Sequence, residues 1–417
     1  MRRLPPLRVY YGLEFFLAMP TWIVISIYLV RELHLSPLQL VLMGTAMEAA
    51  VFLCEVPTGV VADTYSRRLS LIMGFFGMGV TWLLVGVVSS PGLVIALWAL
   101  WGLSYTFTSG AYQAWLADEI GPENLGPALL RGARISFVGS LVGLVALIGL
   151  GTVSLRAAVI AGGAITVACA VAAAIVMPET GFRRRPRGER VAPWAELATT
   201  AAAGARFVRA RTLILLLIAS EFFAGMSSEA YDRLKEAHVL RDVGLPHAVS
   251  LSPVVWFGIV GAVAMVFGFF AVGVVLRRVE RGGTREVARS LVALLAVVLV
   301  AELVFAFAGA FGLAIGAIVT VSLARSLLGP LYTTWLNQQI TDSSVRATVL
   351  SISGQADAIG QAAGGPALGA IGNARGIRTA LAVGALVLLP ALGFYGRALR
   401  HGGREPELVA LPADAAV

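Results

Sequence analysis

An all-α membrane protein that crosses the bilayer twelve times is the fold class this sequence predicts, on three observations. Hydrophobic residues fill 58% of its 417 positions and charged residues only 13%, too little polar surface to clothe a soluble globule of this size. The apolar residues gather in runs of 20 or more, long enough for helices to cross the hydrocarbon and far too long for barrel strands. Lipid cannot satisfy backbone N–H and C=O groups, so each run has to close its hydrogen bonds within a helix.

Taken in order, the apolar runs end at turn signals or arginine clusters. They give spans near 9–33, 38–62, 69–89, 92–118, 128–152 and 156–177 in the first half. An arginine-rich polar segment, 178–211, follows. Six more spans are predicted near 212–240, 252–276, 287–308, 311–337, 346–372 and 376–398. The first run carries Glu14, is about 25 residues long and has no small-residue cleavage site, so it reads as a span and not as a secretory leader. The organisation is a bundle over 1–177, a central loop over 178–211, a second bundle over 212–399 and a tail over 400–417. Such a duplication of helices suggests a cavity between the halves.

Lys and Arg are distributed unevenly between the two sides. The side bearing the N-terminus carries 24 of the 32 and the opposite side 7, with Arg325 inside a span. Cytoplasmic loops hold the positive excess, so both termini and the central loop are expected in the cytoplasm and the spans in an inner membrane. The net charge of +8 then follows from topology, and a nucleic-acid partner is unnecessary. Cys54 and Cys169 fall within spans, where small apolar packing is their usual role. The four histidines lie at span ends or in loops without ligand spacing, so neither a metal nor a cofactor is expected. Lys235 has no Gly-x-x-x-x-Gly-Lys around it, which argues against a P-loop. With no Gly-x-Ser-x-Gly, His-Glu-x-x-His or paired-cysteine arrangement, an enzyme is not expected.

The most specific stretch joins the second and third spans, from Pro57 to Arg68. With Gly59, Asp63, Arg67 and Arg68 in place, it resembles the signature loop of the major facilitator superfamily, departing at Val61, Thr64 and Ser66. The resemblance implies the major facilitator fold, two pseudo-symmetric six-helix bundles, in a monomer that moves a small-molecule substrate. It also implies that Asp63, Arg67 and Arg68 latch one conformation, with Gly59 allowing close helix contact. The plainer alternative is that the arginines only anchor topology.

The fourth span, ending Ser109-Gly110-Ala111-Tyr112-Gln113-Ala114-Trp115, and the stretch Arg346 to Ser351 look like the drug:proton antiporter branch, near the tetracycline- and macrolide-type efflux proteins. That likeness implies proton-coupled multidrug efflux and antibiotic resistance. Gln113 stands where many relatives carry a glutamate, and the antiporter arginine motif is replaced by apolar residues such as Trp98 and Trp101. Two other readings stay open: a carrier of one metabolite, and a transporter-like sensor that binds without translocating.

Charges inside spans mark where function is to be sought, since each costs about 2.5 to 3.5 kcal/mol or more at bilayer depth unless it faces a cavity or a partner. Glu48 and Glu55 project from one face of the second span at roughly 10 Å separation. Glu14 lies in the first span, Glu221 in the seventh, Arg325 in the tenth and Asp357 in the eleventh, and Arg325 and Asp357 are placed to pair. Burial favours a neutral carboxyl and a nearby arginine a charged one, so protonation and conformation can be coupled. Glu48 or Asp357 is the expected proton carrier, with Arg325 as competing partner; pinning of helices is the alternative for each. Glu229, Asp232, Arg233 and Glu236 read as a solvated helix end, and Glu302 as snorkelling towards headgroups.

Gly139 with Gly143, Gly360 with Gly364, and Gly365 with Gly369 are spaced for close helix crossing. Pro20, Pro57, Pro330 and Pro390 are placed to bend spans. By the resemblance, a substrate cavity draws on the first, fourth, seventh and tenth spans. Trp22, Tyr28, Tyr105, Gln113, Phe222, Met226, Tyr332 and Trp335 are its candidate surfaces, with interfacial belts or helix packing as the alternative for the aromatics.

Overall fold

The computed structural model describes residues 4–182, 202, 204–246, 251–340 and 343–401. Most of the arginine-rich loop and the tail from 402 lie outside the described residues, as do the side chains of 269, 272–284, 343, 344, 347 and 401.

Among the described residues, ten helices are long and apolar enough to cross a membrane. The first span is two helices, α1 (Pro6–Leu17) and α2 (Trp22–Arg31). It is followed by α3 (Pro37–Thr64) and α4 (Arg67–Val85). The fourth span is again two helices, α5 (Pro91–Thr106) and α6 (Ala111–Ile120); α7 (Pro122–Val153) and α8 (Leu155–Val176) complete the first half. The second half holds α9 (Thr212–His238) with a π-helical turn over Val239–Val243, α10 (Pro253–Ala306), α11 (Phe311–Gln339), α12 (Ser343–Arg375), α13 (Ile377–Leu386) and α14 (Leu388–His401).

Local chemistry starts these helices. Ser36 and Gln39 form a reciprocal capping box ahead of Pro37, and Ser66 accepts the Leu69 N–H at 2.9 Å. Ser154 and Thr21 cap α8 and α2 in the same way, each such cap stabilising its helix by about 1 kcal/mol. Gly121 and Gly376 turn the chain with φ of 84° and 90°, where a side chain would be strained.

Two spans were expected over 252–276 and 287–308, whereas α10 is a single helical element of 54 residues. A straight helix of that length would separate its ends by about 80 Å, yet the Trp256 ring is 5.1 Å from that of Phe311. The element therefore folds back on itself as a hairpin, and twelve crossings are retained. The eleventh crossing, α12, has the length to span, but its Gly, Ser and Gln residues dilute its hydropathy. Pro20 does more than bend the first span: the helix ends at Leu17 and restarts at Trp22.

Packing within each half is extensive, α4 against α8 and α3 against α5 in the first, α9 against α12 and α10 against α11 in the second. Glycines set the closest crossings. Gly139 and Gly143 of α7 abut the Phe15 and Met19 carbonyls, and Gly360 and Gly364 of α12 abut Phe222 and Met226 of α9. On the next face of α12, Gly365 meets Thr45 and Gly369 meets Leu38 of α3, joining the two halves. We call the face with the N-terminus near and the opposite face far. The two hydrogen bonds described across the halves are on the far side: Leu38 N–H to Asn373 at 3.0 Å and Arg241 to the Leu35 carbonyl at 2.8 Å. Gly258 against Ile148 and Gly151 against Val254 complete the far seam.

Candidate functional site

Both broken helices open onto one cavity. The first span unwinds over 18–21 and the fourth over 107–110, where Gly110 has φ 69°. Ala18, Pro20, Thr108, Ser109 and Gly110 from these breaks line a cavity of about 570 Å³, a size that suits a drug-like molecule. One wall is aromatic. Trp22 stacks on Trp98 at 5.2 Å and meets Trp82 and Trp101 edge-on, while Trp101 stacks on Tyr105 at 5.6 Å. Trp22 and Tyr105 remain 43% and 41% exposed, so this wall is open to a ligand. The lining also holds Glu14, Gln113 and Ser136. Ser136 donates to the Glu14 carboxylate, holding it between α1 and α7. Glu55 lies just outside the lining and accepts from Ser109 at 3.0 Å.

The lining comes from the first half alone, between Glu14 and Thr166, so the seventh and tenth spans expected to share this cavity do not line it; of the eight predicted cavity surfaces, Trp22, Tyr105 and Gln113 are there. The others are not. Tyr28 is fully buried, its hydroxyl 3.3 Å from the Val85 carbonyl. Tyr332 is buried, its hydroxyl 2.6 Å from that of Ser353, and Trp335 is 1% exposed and packs 6.2 Å from the Tyr395 ring. Phe222 and Met226 sit on the α9 face crossed by the α12 glycines. In each case the aromatic or soft side chain fills helix packing. The tryptophans in place of the antiporter arginine motif, Trp98 and Trp101, build the wall.

The second half holds a charge network that the sequence did not resolve. Arg325 does not pair with Asp357: its guanidinium donates to both Asp232 oxygens at 3.0 Å and to Glu302 at 2.9 Å, and lies over the Tyr231 ring at 4.9 Å. Asp357 accepts from Gln361 at 2.8 Å instead, because the Arg325 face of α11 turns to α9 and the returning arm of α10. Glu302 does not snorkel; it is 2% exposed and also accepts from Ser227 at 3.2 Å. Nor is the 229–236 stripe a solvated helix end, since Glu229 and Glu236 are buried. Beyond it, His238 is fully buried, with Nδ1 2.8 Å from Asp242 and Nε2 3.0 Å from the Phe305 carbonyl. Glu221 accepts from Tyr395 at 3.1 Å.

Glu48 belongs to the seam between halves. Glu229 and Arg233 form an ion pair at 3.2 Å that abuts the α3 backbone at Gly44. Glu48, one turn further along α3, has this pair and Asp357 as its charged neighbours across the seam and Glu55 on its own helix. The only clue in the sequence was the i, i+4 spacing of Glu229 and Arg233.

The signature loop is tied within its own half. Arg67 pairs with Asp118, donates to the Ala114 carbonyl at 2.9 Å and reaches Asp63 at 3.4 Å. The Arg68 N–H and the Ser66 hydroxyl bind Glu179 at 2.8–2.9 Å, and the Arg68 guanidinium donates to the Ala174 carbonyl. A Cβ at Gly59 would meet nothing, so the expected close helix contact there is absent. Cys54 and Cys169 are free thiols, and no cluster suited to a metal ion occurs among the described residues.

Comparison with known proteins agrees with this architecture. The uncharacterised MFS-type transporter YxaM of Bacillus subtilis (strain 168) is 29% identical over 135 residues. That match spans about a third of either protein, 32% of this chain and 33% of YxaM. A mutant of the nucleoside transporter NupG superposes with a TM-score of 0.76 at 12% identity, covering 94% of this chain and 98% of that one. A bacterial homolog of the human lysosomal transporter Spinster, inward-facing and unoccupied, gives 0.71 at 15% identity, covering 95% and 96%. At these identities the structures share the fold alone. Residues 9–364 match the family model described as Major Facilitator Superfamily, and the chain is a multi-pass membrane transporter belonging to that superfamily.

Proposed function

We propose that this transporter is a proton-coupled carrier that works by alternating access and exports small amphiphilic organic molecules. The observation that carries this reading is the pairing of a far-side seam between halves with an aromatic-walled cavity between two broken helices. The near face is taken as cytoplasmic from its positive excess, which makes this the inward-facing state. Residues 1–177 and 212–399 move as two bodies joined by 178–211, with 400–417 as a tail, in a monomer of the inner membrane. Asp63, Arg67 and Arg68 latch the opposite state, in which the near sides meet.

Coupling is assigned to the seam. Opening the far side would separate Gly44 from the Glu229–Arg233 pair and admit water to Glu48, so proton exchange at Glu48 and movement of the halves become linked. Asp357, on the other helix of the seam, is the second carrier candidate. A carrier of one metabolite is the second reading, favoured by the polar side chains in the lining, Glu14, Thr108, Ser109, Gln113, Ser136 and Thr166.

Flux in proteoliposomes under an imposed pH gradient tests this, using hydrophobic dyes, macrolides and tetracyclines beside a panel of polar metabolites. Uphill movement of several unrelated amphiphiles, lost in Glu48→Gln or Asp357→Asn with cargo binding retained, is expected. Movement of one metabolite alone would favour the second reading. Uphill transport by both variants would remove the assignment of coupling to the seam.

A further inference from the structure

The polar chemistry of the cavity narrows its cargo by charge. Glu14 is the only charged residue in the lining, and no lysine, arginine or histidine reaches it. Ser136 donates to that carboxylate through Oε2 and the Tyr10 hydroxyl is its second partner, two donors for a group with about four acceptor sites. It therefore keeps acceptor capacity on the cavity side. A second carboxylate, Glu55, stands behind Ser109 and adds to the same sign of potential. The same cavity is lined by Trp22, Trp101 and Tyr105, and indole and phenol faces carry the negative end of the ring quadrupole, which attracts cations within about 6 Å of a ring centroid. Carboxylate and ring faces thus favour one sign of charge.

The geometry points to a lipophilic organic cation, an amine or onium centre carried on apolar or aromatic groups, as the cargo, with the cationic centre between Glu14 and the Trp22–Trp101–Tyr105 wall. A neutral molecule of the same shape would gain the apolar contacts without the ion pair. An anion would meet Glu14 uncompensated, because the arginines of the described second-half network are committed to Asp232, Glu302 and Glu229. This inference rests on the transport reading of the cavity and specifies its substrate class.

Tetraphenylphosphonium and tetraphenylborate, nearly the same shape with opposite charge, provide the test. Binding of each to the purified full chain in a neutral detergent, read by quenching of tryptophan fluorescence and corrected for micelle partition with an unrelated membrane protein, should favour the cation at least tenfold. Glu14→Gln should abolish that preference, Glu14→Asp should restore most of it, and Trp101→Leu should weaken the cation about tenfold. Equal binding of the two ions by the wild-type chain, binding of neither, or an undiminished preference in Glu14→Gln overturns the proposal. Cation binding without flux in proteoliposomes would keep the cation as the cavity's ligand and overturn it as cargo, together with the transport reading.

Discussion

Arg325 holds two carboxylates from two different helices, Asp232 of α9 and Glu302 of α10, which is how an arginine can sit within the span of α11. Each of these charges alone would cost about 2.5 to 3.5 kcal/mol at bilayer depth, and together they satisfy one another. Removing the arginine strands Glu302, which is almost wholly buried, so Arg325→Met should destabilise the fold by about 3 kcal/mol. Asp232 is half-exposed and adds less. Glu302→Gln keeps a hydrogen-bonding group beside Ser227 and should cost less than half as much. Thermal unfolding of the purified variants orders them; equal midpoints for Arg325→Met and wild type would show that the network carries no structural weight. That a charge at 325 must have a partner was legible in the sequence. Which partner was not, since Asp232, Glu302 and Asp357 all occupy spans, and a single sequence does not say which face of α11 meets which neighbour.

Helix boundaries were legible to within a few residues where Ser and Pro punctuate them, as at Ser36-Pro37, whereas the helix that starts at Pro122 was expected only from 128. The breaks inside spans were not equally visible. Pro20 announced a bend, but the unwinding over 107–110 depends on Gly110 within a run that otherwise reads as one helix, and hydropathy windows average over it. The paired glycines were readable as crossing points because close approach of two backbones requires them. What sequence could not say was that one helix, α12, uses two such pairs against opposite halves, Gly360 and Gly364 within its own and Gly365 and Gly369 across the seam. The pairs can therefore be tested separately. In a background with Cys54 and Cys169 replaced, Gly365→Leu should clash with Thr45 and Val41 and hold the far side apart, raising the maleimide reactivity of Leu38→Cys several-fold. Gly360→Leu should clash within the second half and lower stability without that change in reactivity. Unchanged labelling in Gly365→Leu would mean the seam is not closed by α12 against α3.

The molecule as a whole is two six-helix bodies that meet at the far side. The seam combines glycine backbones, the two hydrogen bonds at Leu35 and Leu38 and the Glu229–Arg233 pair against Gly44 with an apolar core that runs through both bodies, to which α3 contributes Leu40, Val41, Met43 and Met47. The overall fold was legible from composition, span count and the Pro57–Arg68 loop because each reflects the demands of the bilayer or a local motif. The cavity was only partly so: Trp22, Tyr105 and Gln113 were found, while Tyr28, Tyr332 and Trp335 turned inward, since aromatic residues serve packing and ligand contact with the same side chain. The claim that the halves rock about the far-side seam is tested most directly by spin-label distances on two pairs across the bodies, Asn124→Cys with Gln338→Cys on the near side and Ser89→Cys with Ala310→Cys on the far side. On addition of protons or cargo, the near pair should shorten as the far pair lengthens, each by several ångströms. Distances that stay fixed, or change together in the same direction, under every condition that supports binding would contradict alternating access.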